Sequence, residues 1–168
     1  FATVLFLSLG LKGMLFIRSL GGSENLFAGC LAIVYVIIVT CFTDIFAYIG
    51  GMSCYKLLGN ERVHKLNERI SPKKTIEGSL IGTFFGTIGG FLFALFVLKD
   101  SGIIVYPWYV YLILSFIGSI AGQIGDLILS AIKRYFNVKD YSSLLPGHGG
   151  VLDRIDSLLI NSMLTAIF

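Results

Sequence analysis

Long apolar stretches separated by short charged segments leave this chain few ways to fold. About 20 apolar residues cross a bilayer as a helix. Five candidate spans meet or approach that length. The first runs from Phe1 to Ile17 and is interrupted by Lys12; the others run from Leu26 to Ile49, from Gly78 to Leu98, from Tyr106 to Ile132, and from near Leu152 to the end. Composition agrees with this reading. Of 168 residues, 55% are hydrophobic and 14% charged, whereas a soluble domain carries roughly 25% charged residues. The expected fold is therefore all-α: a polytopic integral membrane protein of about five transmembrane helices, with a polar site on the cytoplasmic side. Both termini fall inside apolar runs. Residues 1–168 are accordingly read as a single membrane-embedded domain, the C-terminal part of a longer protein whose N-terminal helices are missing here.

The positions of the charges say more than the net +3. Basic residues mark the cytoplasmic side of a membrane protein. The segment between the second and third spans holds Lys56, Arg62, Lys65, Arg69, Lys73 and Lys74, and that between the fourth and fifth holds Lys133, Arg134, Lys139 and Arg154. Two spans separate these segments, so both fall on one face; the opposite face carries Arg18 and Lys99. Gly78, Gly82, Gly86 and Gly90 recur every four residues in the third span, and Gly118 and Gly122 repeat the spacing in the fourth. Helix faces without side chains let neighbouring helices approach closely. The three cysteines, Cys30, Cys41 and Cys54, have no CxxC partner and are expected to be small buried hydrophobes.

The candidate chemistry gathers where charge meets membrane. Asp126, Ser130 and Lys133 stand at i, i+4 and i+7, one face of the fourth helix if it continues through them. Asp153 and Asp156 share a face near the start of the last helix, where the helix dipole favours anions. Carboxylates from the two helices could converge at the membrane boundary. Such hard oxygen ligands suit Mg²⁺, which also takes phosphate oxygens. Simple pairing of Asp126 and Asp153 with Lys133 and Arg154 is the alternative. Arg134, Lys139 and Asp140 add charge nearby, and Pro146-Gly147-His148-Gly149-Gly150 is a turn whose backbone N–H groups could cradle phosphate. His148 could donate to that phosphate or merely brace the turn.

Upstream of the third span, Ser71-Pro72-Lys73-Lys74-Thr75-Ile76-Glu77-Gly78 offers two lysines for lipid or nucleotide phosphate, with interfacial anchoring as the alternative. Pro72 favours a turn into the helix start, and Glu77 suits a capping role in its first turn. Asp44 lies inside the second apolar span. An acid there needs a partner or a polar cavity; Lys73, Lys74 or a metal could supply it. His64 and the charges from Glu61 to Arg69 read as a solvated loop.

The stretch Ser130 to Asp156 resembles the signature of the phosphatidate cytidylyltransferases (CDP-diacylglycerol synthases). Asp44-Ile-Phe-Ala-Tyr-Ile-Gly50, Ser71 to Gly78 and Gly125-Asp126 resemble further blocks of that family, so the likeness covers nearly the whole chain. Ile76 stands where the family usually has Trp. The resemblance implies a reaction in which CTP and phosphatidate give CDP-diacylglycerol and pyrophosphate. It implies a Mg²⁺ requirement, with a two-metal centre held at the positions of Asp126 and Asp153, Asp156 close by, and Ser130 and Lys133 among the polar residues of the site. Lys73, Lys74, Arg134, Lys139, His148, Gly149, Gly150 and Arg154 are then the candidates for substrate phosphate. The expected setting is a bacterial cytoplasmic membrane with the site facing the cytoplasm. CTP, phosphatidate and the bilayer are the expected partners, a second copy of the chain is a further candidate, and nucleic acid is not expected. A related CTP-dependent lipid transferase and a transport subunit are the rival readings; a transport subunit would place its charges along a pore, whereas here they crowd at one interface.

Overall fold

The computed structural model describes residues 2–19, 26–59, 63–67, 70–99, 106–138 and 152–167, with backbone alone for residues 2, 3, 26, 58 and 152–154. In chain order these form α1 (Ala2–Ser19), α2 (Leu26–Leu58), the strands β1 (Lys65–Asn67) and β2 (Ser71–Thr75), α3 (Ile76–Phe93), α4 (Trp108–Tyr135) and α5 (Leu152–Thr165). The protein is an all-α polytopic membrane protein with one small hairpin. Among the described residues, Phe27–Leu57, Ile76–Leu98 and Trp108–Tyr135 are long and apolar enough to cross a membrane. The third of the five apolar stretches continues past α3 through a π-helical turn, Ala94–Leu98, in which the Lys99 N–H donates to the Ala94 carbonyl at 3.0 Å. The fifth stretch is helical, but at 14 residues α5 is shorter than a full crossing.

Large apolar side chains cover the outside of the bundle. Leu80, Phe84, Phe96, Ile113 and Phe116 are all exposed. Apolar surface on this scale would be a liability in water and suits acyl chains. Tyr106, Trp108 and Tyr109 ring the start of α4, and Tyr135 stands at its end. Amphipathic aromatic rings favour the headgroup level.

The glycine stripe does what its spacing predicts. Gly78, Gly82, Gly86 and Gly90 are the buried residues of α3, and they face α2. A Cβ at Gly82 would come within 2.6 Å of the Thr43 carbonyl oxygen, and one at Gly90 within 2.4 Å of the Val39 side chain. The backbones meet because nothing lies between them. Hydroxyls then bridge the helices: Thr43 Oγ1 and Ser119 Oγ are 2.6 Å apart, and Tyr35 OH and Ser115 Oγ 2.9 Å. Asn161 Nδ2 donates to Thr40 Oγ1 at 3.0 Å, tying α5 to α2. The apolar core, including Ile17, Val36, Val39, Leu98 and Tyr111, fills one end of the bundle. The other end is polar.

Three local features build the polar end. Gly59, at φ +79, lets α2 end there, its N–H donating to the Tyr55 carbonyl. Thr75 caps α3, its Oγ1 accepting from the Gly78 N–H at 3.0 Å. Asn137, at φ 55, closes α4: its N–H donates to Arg134 and that of Val138 to Lys133, each at 3.0 Å.

Several sequence expectations need correction. Pro72 lies inside β2 rather than in a turn entering the helix; each strand of a two-stranded sheet is an edge, where proline is tolerated. The charged segment before α3 is an antiparallel hairpin, not a plain loop, with Lys65 opposite Thr75 and Asn67 opposite Ser71. Cys30 and Cys41 are exposed on the outside of α2 and Cys54 is half-buried, so these small apolar side chains face outward more than inward.

Candidate functional site

Helix α4 runs unbroken through Asp126, Ser130 and Lys133, so the face expected from their spacing is real. Ser130 Oγ donates to Asp126 Oδ1 at 3.2 Å. The other Asp126 oxygen, Oδ2, takes the Lys74 ammonium in a close ion pair. The cation on Asp126 is thus Lys74 of β2, not Lys133 as the helix spacing alone allowed. In β2 Lys73 is exposed and Lys74 half-buried, and Lys74 is the one that reaches Asp126.

Two more acids join from two more helices. Asp156, 6% exposed, lies in the first turns of α5, close enough to Asp126 to interact with it directly, and it also feels Lys133. Its Oδ1 accepts from the Ser157 N–H at 2.8 Å. Asp44 of α2 feels the charges of Asp126 and Lys74, with the Ser157 side chain nearby. Of the partners expected for this intramembrane acid, Lys74 is one whose charge reaches it, although its ion pair is with Asp126. Helix α2 continues past Ile49 to Leu58, which puts Asp44 level with the polar cluster rather than alone in hydrocarbon. Lys133 itself is buried, 9% exposed.

Three carboxylates and two ammonium groups from α2, β2, α4 and α5 thus share one neighbourhood. Like charges gathered away from water are costly unless cations sit among them. Lys74 already occupies such a place, and the hard carboxylate oxygens match what a small divalent ion takes. Among the described residues, no group of three or more acids, histidines or cysteines stands in an arrangement that would hold a metal ion.

A cavity of about 760 Å³ opens beside the cluster. Asp44, Ala47, Tyr48, Gly51, Met52 and Tyr55 form its α2 wall, a single helical face. Lys65, Lys73 and Lys74 of the hairpin supply positive charge, and Ser79, Gln123 and Asp126 close the inner side. Tyr48 and Met52 are exposed as well as cavity-lining, so this wall reaches the outer surface of the bundle. Arg134 Nε donates to the Ile70 carbonyl at 3.4 Å, which ties the end of α4 to the hairpin turn.

Not every candidate falls within view. Lys139, Asp140, His148, Gly149 and Gly150 lie outside the described residues, as do the side chains of Asp153 and Arg154, whose backbone begins α5. Two groups were missed by reading the sequence. Gln123, 9% exposed, joins α4 to α3 through Ser79 and Thr83. A glutamine amid apolar residues, three before Asp126, was the available signal. His64, read as part of a solvated loop, has its N–H donating to Glu77 Oε1 at 3.1 Å and its ring Nδ1 2.9 Å from the same oxygen. Thr75 caps α3, and Glu77 instead pins the start of the hairpin to that helix.

Comparison with known proteins bears on this arrangement. The model of the Cytidylyltransferase family matches residues 1–168. The chain is similar to a phosphatidate cytidylyltransferase of Staphylococcus haemolyticus (strain JCSC1435), 42% identical over 127 residues, covering 76% of this chain and 44% of the relative. A phosphatidate cytidylyltransferase of Brucella abortus biovar 1 (strain 9-941) is 41% identical over 140 residues, covering 83% and 47%. One of Staphylococcus aureus (strain COL) is 40% identical over 127 residues, covering 76% and 44%. The chain spans about half the length of the curated relatives it matches.

Proposed function

Because the chain belongs to the cytidylyltransferase family, we propose that the protein it forms part of transfers a cytidylyl group from CTP to phosphatidate, giving CDP-diacylglycerol and pyrophosphate. The observation that carries this reading is the meeting of Asp44, Asp126 and Asp156 with Lys74 and Lys133 beside a lysine-edged cavity. The names of the relatives supply the substrate class.

The reaction needs no nucleophile from the protein. A phosphatidate phosphate oxygen attacks the α-phosphorus of CTP, and the bond to pyrophosphate breaks. Repulsion between two polyanions is the obstacle. Asp126 and Asp156, with Asp153, would hold Mg²⁺ in what we read as a two-metal centre. Bound there, the ions would draw off negative charge from the reacting and leaving oxygens. Ser130 fixes the orientation of the Asp126 carboxylate through its hydrogen bond. Lys73, Lys74 and Lys133 offer fixed positive charge where phosphates would lie, with Arg134, Lys139, His148, Gly149, Gly150 and Arg154 as further candidates. The α2 wall with Tyr48 and Met52 gives a lipid a route from the side, while CTP arrives from the cytoplasm. The described cations at this end, including Lys56, Lys65, Lys73, Lys133 and Arg134, against Arg18 and Lys99 at the other, support a cytoplasmic-facing site in a bacterial membrane.

A substrate panel tests the assignment. The full-length protein is given labelled CTP with phosphatidate or with an archaeal-type ether-linked phospholipid acceptor. Labelled CDP-diacylglycerol from phosphatidate in clear excess is the expected result. Product from the ether lipid alone would move the assignment to another lipid transferase.

A further inference from the structure

We propose that Gln123 is a positioning residue that sets where Lys74 meets Asp126, by clamping α4 onto the first turns of α3. The carboxamide uses both of its N–H donors and one acceptor position on α3. Its Oε1 accepts from Ser79 Oγ in a short contact, and its Nε2 donates to the Ser79 carbonyl at 3.3 Å and to Thr83 Oγ1 at 2.9 Å. Both N–H donors are used, so none remains for a substrate. This makes Gln123 a brace although it lines the cavity.

The clamp sits within one to two helical turns of each partner along its own segment of chain. Asp126 is three residues beyond Gln123 on the same face of α4. Ser79 is five residues beyond Lys74, separated from it only by the Thr75 cap and the first turn of α3. Holding Ser79 against Gln123 therefore fixes the height of Lys74 relative to Asp126. Gly82 and Gly86 already press α3 against α2, but glycine contacts leave sliding along the helix weakly defined. Three directed hydrogen bonds define it.

The test has two arms, and only the kinetic arm rests on the function proposed above. In the first, the full-length protein is treated with an amine-acetylating reagent, and labelling at Lys74 is read by mass spectrometry against its exposed neighbour Lys73. In the wild type Lys74 is protected relative to Lys73; in Gln123→Met that protection is lost, and in Ser79→Ala it is reduced. In the second arm, kcat falls about tenfold in Gln123→Met and by less in Ser79→Ala, as expected for a misplaced cationic group, while KM for CTP and for phosphatidate stays within about twofold of the wild type. Ser79→Ala removes the Ser79 Oγ hydrogen bond from the other side, leaving those to the Ser79 carbonyl and Thr83, and keeps the test in force if Gln123→Met folds poorly. Unchanged protection of Lys74 in both variants would overturn the proposal, as would a rise in KM at constant kcat, which would make Gln123 a substrate contact. An inactive wild type would count against the reaction alone, since the labelling arm still decides the clamp.

Discussion

Asp126 makes contacts with more of the site than any other single side chain described. It is ion-paired to Lys74, hydrogen-bonded to Ser130 and in electrostatic contact with Asp44 and Asp156. Its charge, rather than its shape, is what these neighbours use. Asp126→Asn keeps the volume and removes the charge, so turnover is expected to fall by at least about a hundredfold while size-exclusion elution and thermal unfolding in detergent stay as in the wild type. A variant with normal turnover would remove Asp126 from the mechanism. The helix face this residue shares with Ser130 and Lys133 was legible from their i, i+4, i+7 spacing. The cation on Asp126 was not, because Lys74 is 52 residues away and reaches it only through a strand. Gln123 and His64 were overlooked for a related reason: their partners, Ser79 with Thr83 and Glu77, belong to other elements.

At the scale of elements, α2 and α3 are held together by absent side chains. A Cβ at Gly86 would sit 2.0 Å from Thr43 Oγ1 and 2.8 Å from Ser119 Oγ, the two hydroxyls that bridge α2 and α4. Gly86→Ala is therefore expected to cost about 1–3 kcal/mol through overpacking. Gly122 offers the contrast, since its nearest neighbour is the Ser157 carbonyl oxygen at 3.7 Å. Gly122→Ala is expected to be neutral or to stabilise by up to about 1 kcal/mol through helix propensity. Reversible unfolding in mixed micelles compares the two; equal effects would mean the stripe does not set the approach of α2 to α3. Periodicity exposed both the helices and this stripe from sequence. It could not expose the hairpin, whose strands are short, charged and interrupted by Pro72. Nor could it show that α2 runs past Ile49, because polar residues begin there although the helix does not stop.

Seen as a whole, the molecule separates its two tasks by depth. One end packs Ile17, Val36, Val39, Leu98 and Tyr111 into an apolar core. The other gathers acids, lysines and a cavity of about 760 Å³ where α2, the hairpin, α3 and α4 meet. That division suits an enzyme joining a water-borne nucleotide to a membrane-borne lipid. Under the proposed function it also makes sidedness part of the chemistry: CTP would have to reach the end marked by Lys65, Lys73 and Arg134. The most direct measurement is Mg²⁺-dependent release of pyrophosphate from externally added CTP by the full-length protein in sealed vesicles containing phosphatidate. Inside-out vesicles are predicted to release pyrophosphate at once, and right-side-out vesicles only after permeabilisation. No release from permeabilised vesicles, or equal release from both sealed orientations, would contradict the account.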